Sequence, residues 1–233
     1  MLGEEKLARL GDSFVVAVGL GAVGSYAVEA LARAGVGRLR LVDFDVIRPS
    51  NINRQLYALE STQGMYKCDA ALRRVADINP ACRAEALRLF ADGSTLPEIL
   101  AGGPGLVLDA IDSLGPKTGL IRAAARLHAP LISSMGAALR TDPSRVRTGF
   151  FSEVKHCPLA KRVRDAFRGE AVPDFRCVYS DEPVLKAWRR PGGPDADFLP
   201  RGRRRSELGS LPTLTGIFGL VMANSAIQLL CGE

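Results

Sequence analysis

Paired cysteines are missing from this chain. Its five cysteines stand far apart, at 68, 82, 157, 177 and 231, and none sits in C-x-x-C spacing. A zinc clamp and a disulfide framework are therefore not indicated, and a reducing cytoplasm fits best. Histidine is scarce, with only His128 and His156, and His128 lies before Pro130 at a helix end, where a structural role is expected. The first residues, Met1 to Lys6, read Met-Leu-Gly-Glu-Glu-Lys, a charged start from which no apolar signal segment is expected. The one long apolar stretch, 211–231, carries Asn224, Ser225, Gln228, Gly216 and Gly219, so it reads as a buried closing helix and not as a membrane span. No internal repeat is found.

What is present suits a single large α/β domain. The chain has 233 residues, 47% hydrophobic and 24% charged, with a net charge of +6. Such a charge permits a polyanionic partner without demanding one. The organising stretch runs from Phe14 to Arg54. A buried strand at 14–18 leads into Gly19-Leu20-Gly21-Ala22-Val23-Gly24, an alanine-rich helix stopped by Gly35, and a second strand at 39–42 that ends on Asp43. In this context the first glycine allows the turn, the second lets a phosphate approach the backbone, and the third lets helix and strand pack. Asp43 is placed to accept ribose hydroxyls. Further helices are expected near 1–13 (Leu2, Leu7 and Leu10 apolar), 64–79, 94–101 and 117–128, with strands at 83–89, 105–112 and 131–134. Strands alternating with helices argue for a Rossmann-like, doubly wound, mostly parallel sheet with ligands beyond the strand C-termini.

The chain continues Phe44-Asp45-Val46-Ile47-Arg48-Pro49-Ser50-Asn51-Ile52-Asn53-Arg54-Gln55. This resembles the D-x-D-x-V…S-N-x-N-R-Q signature of the ubiquitin-activating (E1-like, ThiF-type) adenylyltransferase superfamily. The resemblance implies that ATP lies along Gly19, Gly21 and Gly24 with its ribose on Asp43. It further implies that Asn51, Asn53, Arg54 and Gln55 face the phosphates, that Lys67 reaches the triphosphate, and that Asp112 holds Mg²⁺ with Ser113 and Asp45 nearby. Arg54, Lys67 and Asp112 are thus the expected catalytic group. Each residue alone has a plain alternative: a tight turn, a helix cap, a surface cation. Their agreement in order and spacing carries the reading.

The C-terminal half is less regular, with strands expected at 146–151 and 177–179 and a helix at 159–167. One domain is expected, its residues 1–134 forming a nucleotide-binding half and 135–233 a substrate half. The segments Ile132–Ala137, Asp142-Pro143, Cys157-Pro158-Leu159-Ala160-Lys161, Val178-Tyr179-Ser180 and Gly209–Thr213 resemble the tRNA threonylcarbamoyladenosine dehydratase branch. That branch implies an ATP-dependent closure of the threonylcarbamoyl side chain on tRNA, a homodimer, and sulfur-transfer (cysteine desulfurase) partners. Activation of a ubiquitin-like or sulfur-carrier protein is the alternative. Cys157 is expected to be an inert buried thiol. From Lys186 to Glu207 the chain is rich in proline, glycine and arginine and holds +4 of the +6 charge. A mobile loop is expected there, with Lys186, Arg189, Arg190, Arg203, Arg204 and Arg205 meeting tRNA phosphates and Trp188 and Phe198 stacking on bases. Relatives of this branch carry an arginine-bearing segment ahead of the Leu-Gly-Glu-Glu at 2–5. Arg9 is a poor substitute by position, so another cation, an upstream start or reduced activity is expected.

Overall fold

In the computed structural model, residues 2–171, 173–184, 189–190 and 207–232 are described, with 189–190 and 207 as backbone only. Helix α1 (Gly3–Asp12) leads to strand β1 (Phe14–Val18), helix α2 (Gly24–Ala34) and strand β2 (Arg38–Val42). Next come α3 (Lys67–Ile78), β3 (Arg83–Leu87), the short α4 (Leu96–Ile99), β4 (Leu106–Asp109), α5 (Leu114–Arg126) and β5 (Leu131–Ser134). The second half holds β6 (Val146–Phe150), α6 (Pro158–Ala166), β7 (Arg176–Ser180), β8 (Arg189–Arg190), β9 (Glu207–Leu208) and α7 (Pro212–Leu230). One sheet has the order β3-β2-β1-β4-β5-β7-β6. Every pairing in it is parallel except β6 against β7. The chain winds outward from β1 through β2 to β3, then returns to β4 on the other side of β1. The topological switch point therefore lies between β1 and β4, where open α/β sheets form their ligand crevice.

Strand β1 is buried on both faces because its residues are apolar at every position. Val15 and Ala17 join a core with Leu31 of α2, Leu39 and Leu41 of β2, and Phe218 and Met222 of α7. Phe14, Val16 and Val18 join a second core with Leu120 and Ile121 of α5 and Val163 of α6. Period-two alternation thus feeds two layers of helices, each fully buried side chain contributing about 1.5–3 kcal/mol. Helix α2 stops at Gly35, whose φ of 92° is left-handed and whose N–H reaches Ala32 O at 3.2 Å.

Helix α7 is long and apolar enough to cross a membrane by composition alone, yet half of it is buried within the protein. It lies against α2 so closely that a Cβ at Gly219 would come 2.7 Å from Tyr26 Cβ. The two glycines of the apolar run permit this approach, and a core helix is the result. Arg9 joins α1 to α7 through Cys231 O at 3.3 Å and also binds Glu5 at 2.9 Å. Leu10 of α1 is buried but Leu7 is 51% exposed, because a short helix lying on a surface hides only a narrow stripe. One expectation needs correction: the loop expected at 186–207 lies largely outside the described residues, but where the chain is described β8 pairs antiparallel with β9, Arg189 opposite Leu208 and Arg190 opposite Glu207.

Candidate active site

Three strand ends build the site. At the first, the Gly19–Gly24 turn carries the chain from β1 into α2. Gly19 has φ 91°, and a Cβ there would stand 2.8 Å from Ala110 O at the end of β4. A Cβ at Gly24 would collide with the Gly19 carbonyl. The turn is thus pressed against the neighbouring strand while its outer side stays open: a Cβ at Gly21 would meet only Gln55 Nε2, at 3.8 Å. Helix α2 starts from Val23 without a side-chain cap and without an acid in its first turn. Its first N–H groups and positive dipole end suit an anion.

At the second strand end, Asp43 leaves β2. Its Oδ2 accepts from Leu20 N at 2.8 Å and its Oδ1 from Asp45 N at 2.9 Å, so it ties the glycine turn to its own following turn. Each oxygen keeps a further lone pair. Burial pushes the Asp43 carboxyl above the usual range, with Lys67 opposing. Buried Lys67 turns to Asp45, with Nζ to Oδ2 at 2.8 Å, and its own N–H binds Asp45 O. Arg48 approaches the other Asp45 oxygen at 3.6 Å. Asn51 is buried by a 3₁₀ turn at Pro49–Asn51, where its Oδ1 accepts from Arg48 N at 3.2 Å. Arg54 extends from this turn, held by Ser50 O at 2.9 Å and Asn53 Oδ1 at 2.7 Å. Gln55 is buried next to Gly21.

The third end is β4. Asp112 is exposed, and Ser113 Oγ donates to its Oδ1 at 3.3 Å. Burial pulls the Arg54 guanidinium down, and the Asp112 charge opposes that shift. Beneath them is a network that sequence reasoning missed. Lys117 and Asp109 form a fully buried pair at 2.6 Å. Lys117 Nζ also donates to Ser133 Oγ and Ser134 O, each at 3.0 Å. Asp109 accepts from Ser133 Oγ at 2.7 Å and from Ile111 N at 3.0 Å. These bonds clamp the Asp109–Lys117 turn that carries Asp112. A signal existed: an acid inside an otherwise apolar strand demands a cation, and Lys117 lies eight residues on.

Gly19, Gly21, Gly24, Asp43, Asp45, Asn51, Asn53, Arg54, Gln55, Lys67, Asp112 and Ser113 all lie on the segments that follow β1, β2 and β4, the strands at and beside the switch point. The expected tRNA-binding residues Lys186, Arg203, Arg204 and Arg205 lie outside the described residues, as do Trp188 and Phe198; Arg189 and Arg190 are placed by backbone alone. Among the described residues no group of three His, Cys, Asp or Glu could hold a metal. A single carboxylate such as Asp112 fits Mg²⁺, which takes one or two carboxylates and completes its shell with phosphate oxygens and water.

A doubly wound sheet with an open glycine turn at its switch point, an acid at the end of β2 and the cations Arg54 and Lys67 on the segment after it is the arrangement of a Rossmann-like nucleotide-binding domain. The chain belongs to the ThiF family, whose model matches residues 1–233. The tRNA threonylcarbamoyladenosine dehydratase of Bacillus subtilis (strain 168) is 43% identical over 182 residues, covering 78% of this chain and 72% of that protein. That of Escherichia coli (strain K12) is 30% identical over 240 residues, covering 98% and 90%. The crystal structure of the E. coli enzyme in complex with ATP superposes with a TM-score of 0.85 at 29% identity, over 98% of this chain and 89% of that one.

Proposed function

We propose that this protein is an ATP-dependent tRNA threonylcarbamoyladenosine dehydratase. The observation that carries the reading is the open glycine turn at an uncapped helix start, with Asp43 tied to it from the end of β2. The relatives' activity and the ATP-bound neighbour support it.

The α- and β-phosphates sit at the glycine turn and the α2 N-terminus, and the ribose hydroxyls donate to the remaining lone pairs of Asp43. Asn51, Asn53 and Gln55 line the phosphate side. Arg54 and Lys67 neutralise the triphosphate, and Lys67 exchanges part of its bond to Asp45 for phosphate oxygens. Asp112, with Ser113 beside it, would hold Mg²⁺, which would supply charge neutralisation on the phosphates. The threonine carboxylate of the modified adenosine attacks the α-phosphorus in line; a P–O bond forms and the bond to pyrophosphate breaks. A nucleophilic atom of the ureido group then attacks the activated carbonyl, the ring closes and AMP leaves. The second step is intramolecular, so positioning and electrostatics suffice and no enzyme nucleophile is needed.

Residues 1–134 serve the nucleotide and 135–233 the tRNA, with the arginine-rich segment 186–207 on the phosphates. The working form is a homodimer in the cytoplasm. Leu220 on the outer face of α7 and Leu208 and Leu211 ahead of it are about half exposed, a surface that a second copy would cover. Sulfur-transfer proteins of the cysteine desulfurase system are proposed as further partners, on the resemblance alone. The test is incubation with ATP, Mg²⁺ and tRNA carrying threonylcarbamoyladenosine. Release of AMP with loss of one water from the nucleoside is expected. Turnover with a carrier protein ending in Gly-Gly, and none with the tRNA, would overturn the reading.

A further inference from the structure

The helices on the two faces of the sheet differ in charge. On one face, α1, α2, α3 and α7 hold six basic and six acidic residues. On the other, α5 and α6 hold six basic residues and a single acid, Asp165. Three of those six cations are engaged within the fold. Lys117 is buried with Asp109, and Arg122 is paired with Glu170 at 2.9 Å. Arg164 is turned inward, its Nη2 donating to Phe151 O at 3.0 Å and to Val154 O at 2.6 Å. Arg126 is exposed at the far end of α5, and Lys161 and Arg162 are exposed on α6. The chain adds Lys155 just before α6 and Arg168 just after it, both exposed. Asp165 is shared between Lys161, at 3.2 Å, and Arg168, at 3.1 Å. Lys155 and Arg162 make no ion pair or hydrogen bond among the described residues. The bordering acids are occupied: Glu153 accepts from Phe150 N at 2.6 Å and Asp174 from Ser152 N at 3.2 Å.

The stability of α6 does not call for this pattern. A helix start favours anions and disfavours cations. The first turn of α6 nevertheless has no acid, and its cap is a weak acceptor, Cys157 Sγ, at 3.5 Å from Ala160 N. Lys155 precedes that start and Lys161 follows the first turn. Cations held in water against the local field suit an anionic partner from outside. Their backbone is fastened: Arg164 ties down the 151–154 turn from inside, and Arg140 Nη2 donates to His156 O at 2.9 Å. The patch also lies on the reacting side. Gly136 follows β5, and a Cβ there would lie 3.7 Å from both Cys157 Sγ and Leu159 Cβ at the start of α6. Strand β5 is the neighbour of β4, whose end leads to Asp112. The start of α6 is thus at the ligand end of the sheet, beside the strands that carry the site.

We propose, on the reading that the substrate is a tRNA, that Lys155, Lys161 and Arg162 at the start of α6 form a docking surface for its phosphodiester backbone, separate from the segment 186–207. A tRNA is far larger than the nucleotide crevice, and phosphate contacts outside the crevice would set its register without reading its sequence. Binding of tRNA lacking the modification, measured by fluorescence anisotropy from about 50 to 200 mM salt, isolates this contact from the chemistry. The full chain carrying Lys155→Ala, Lys161→Ala and Arg162→Ala should bind roughly tenfold or more weakly at the low end, with its log–log salt slope reduced by about two to three. Its Tm and its affinity for ATP should not fall, because all three side chains lie in solvent. Arg83→Ala serves as the control: Arg83 is exposed at the start of β3, on the other edge of the sheet and at the end away from the ligand, and its loss should leave the slope unchanged. An unaltered slope in the triple variant, or an equal loss in Arg83→Ala, would overturn the docking surface. If the unaltered triple variant accompanies a native chain that releases AMP with tRNA carrying threonylcarbamoyladenosine, only the docking surface falls. A native chain that neither binds tRNA nor releases AMP with it would overturn the docking surface and the proposed function together.

Discussion

Asp43 shows how one carboxylate serves two tasks. It fastens the glycine turn through Leu20 N, and it leaves lone pairs for a ribose. Burial raises its proton affinity, and only the ionised form accepts two ribose hydrogen bonds. As pH falls, Asp43 therefore protonates earlier than a free aspartate, whose value is about 3.9. ATP affinity measured by calorimetry should weaken on acidification, starting above that value. In Asp43→Asn the affinity should be lower throughout and this pH dependence should disappear. Arg54 and Asp112 belong to the same scale. Both stand at the crevice and outside the cores, so Arg54→Ala and Asp112→Ala should each abolish AMP release while unfolding free energies stay within about 0.5 kcal/mol of the native protein. Near-native turnover in either variant would remove that residue from the phosphate site.

The element that fixes the geometry is the turn from β4 into α5. Its shape is set by Lys117, Asp109 and Ser133, all buried at the centre of the sheet. Removing one charge strands the other: Lys117→Met should lose about 3–5 kcal/mol in urea denaturation. Adding Asp109→Leu should recover most of that loss, since no buried charge is then left unpaired. In the double variant the turn loses its clamp, so activity should stay low although stability returns. A fully active double variant would reduce the network to a stability feature and free Asp112 from it. Helix α2 makes the companion point. Its buried face holds Ala27, Val28 and Leu31, while its first turn is left without a side-chain cap, so the element is stabilised by packing and its N-terminus remains available to an anion.

At the scale of the whole molecule, charge and surface decide partners. The segment 186–207 carries +4 of the net +6. Replacing Arg203, Arg204 and Arg205 by alanine should weaken tRNA binding at low salt and reduce the log–log salt slope by about one for each phosphate that is no longer neutralised. ATP affinity should hardly change. An unaltered slope would move the tRNA surface elsewhere. Light scattering at micromolar concentration should return twice the chain mass of 24.9 kDa, and a monomer would refute the dimer.

Much of this architecture was legible in order along the chain. Apolar runs of strand length, helical periodicity, Gly35 and the glycine turn are local signals, because backbone conformation and one-dimensional patterning depend on near neighbours. They determined the strand–turn–helix–strand unit, the alternation that makes the sheet parallel, and the family's motif at Asp43 to Gln55. Three matters were decided only by the tertiary structure. Lys117 reads as a helix residue until β5 supplies Ser133 and Ser134 beside it. Leu7 and Leu10 read alike as apolar positions of one helix until the fold buries Leu10 and leaves Leu7 half exposed. Gly219 reads as one residue of an apolar run until α2 shows how closely Tyr26 packs on it. Each depends on residues far apart in sequence, and a charge takes its state from its surroundings: the dielectric, the opposite charge and the hydrogen-bond partners that only the folded chain brings together.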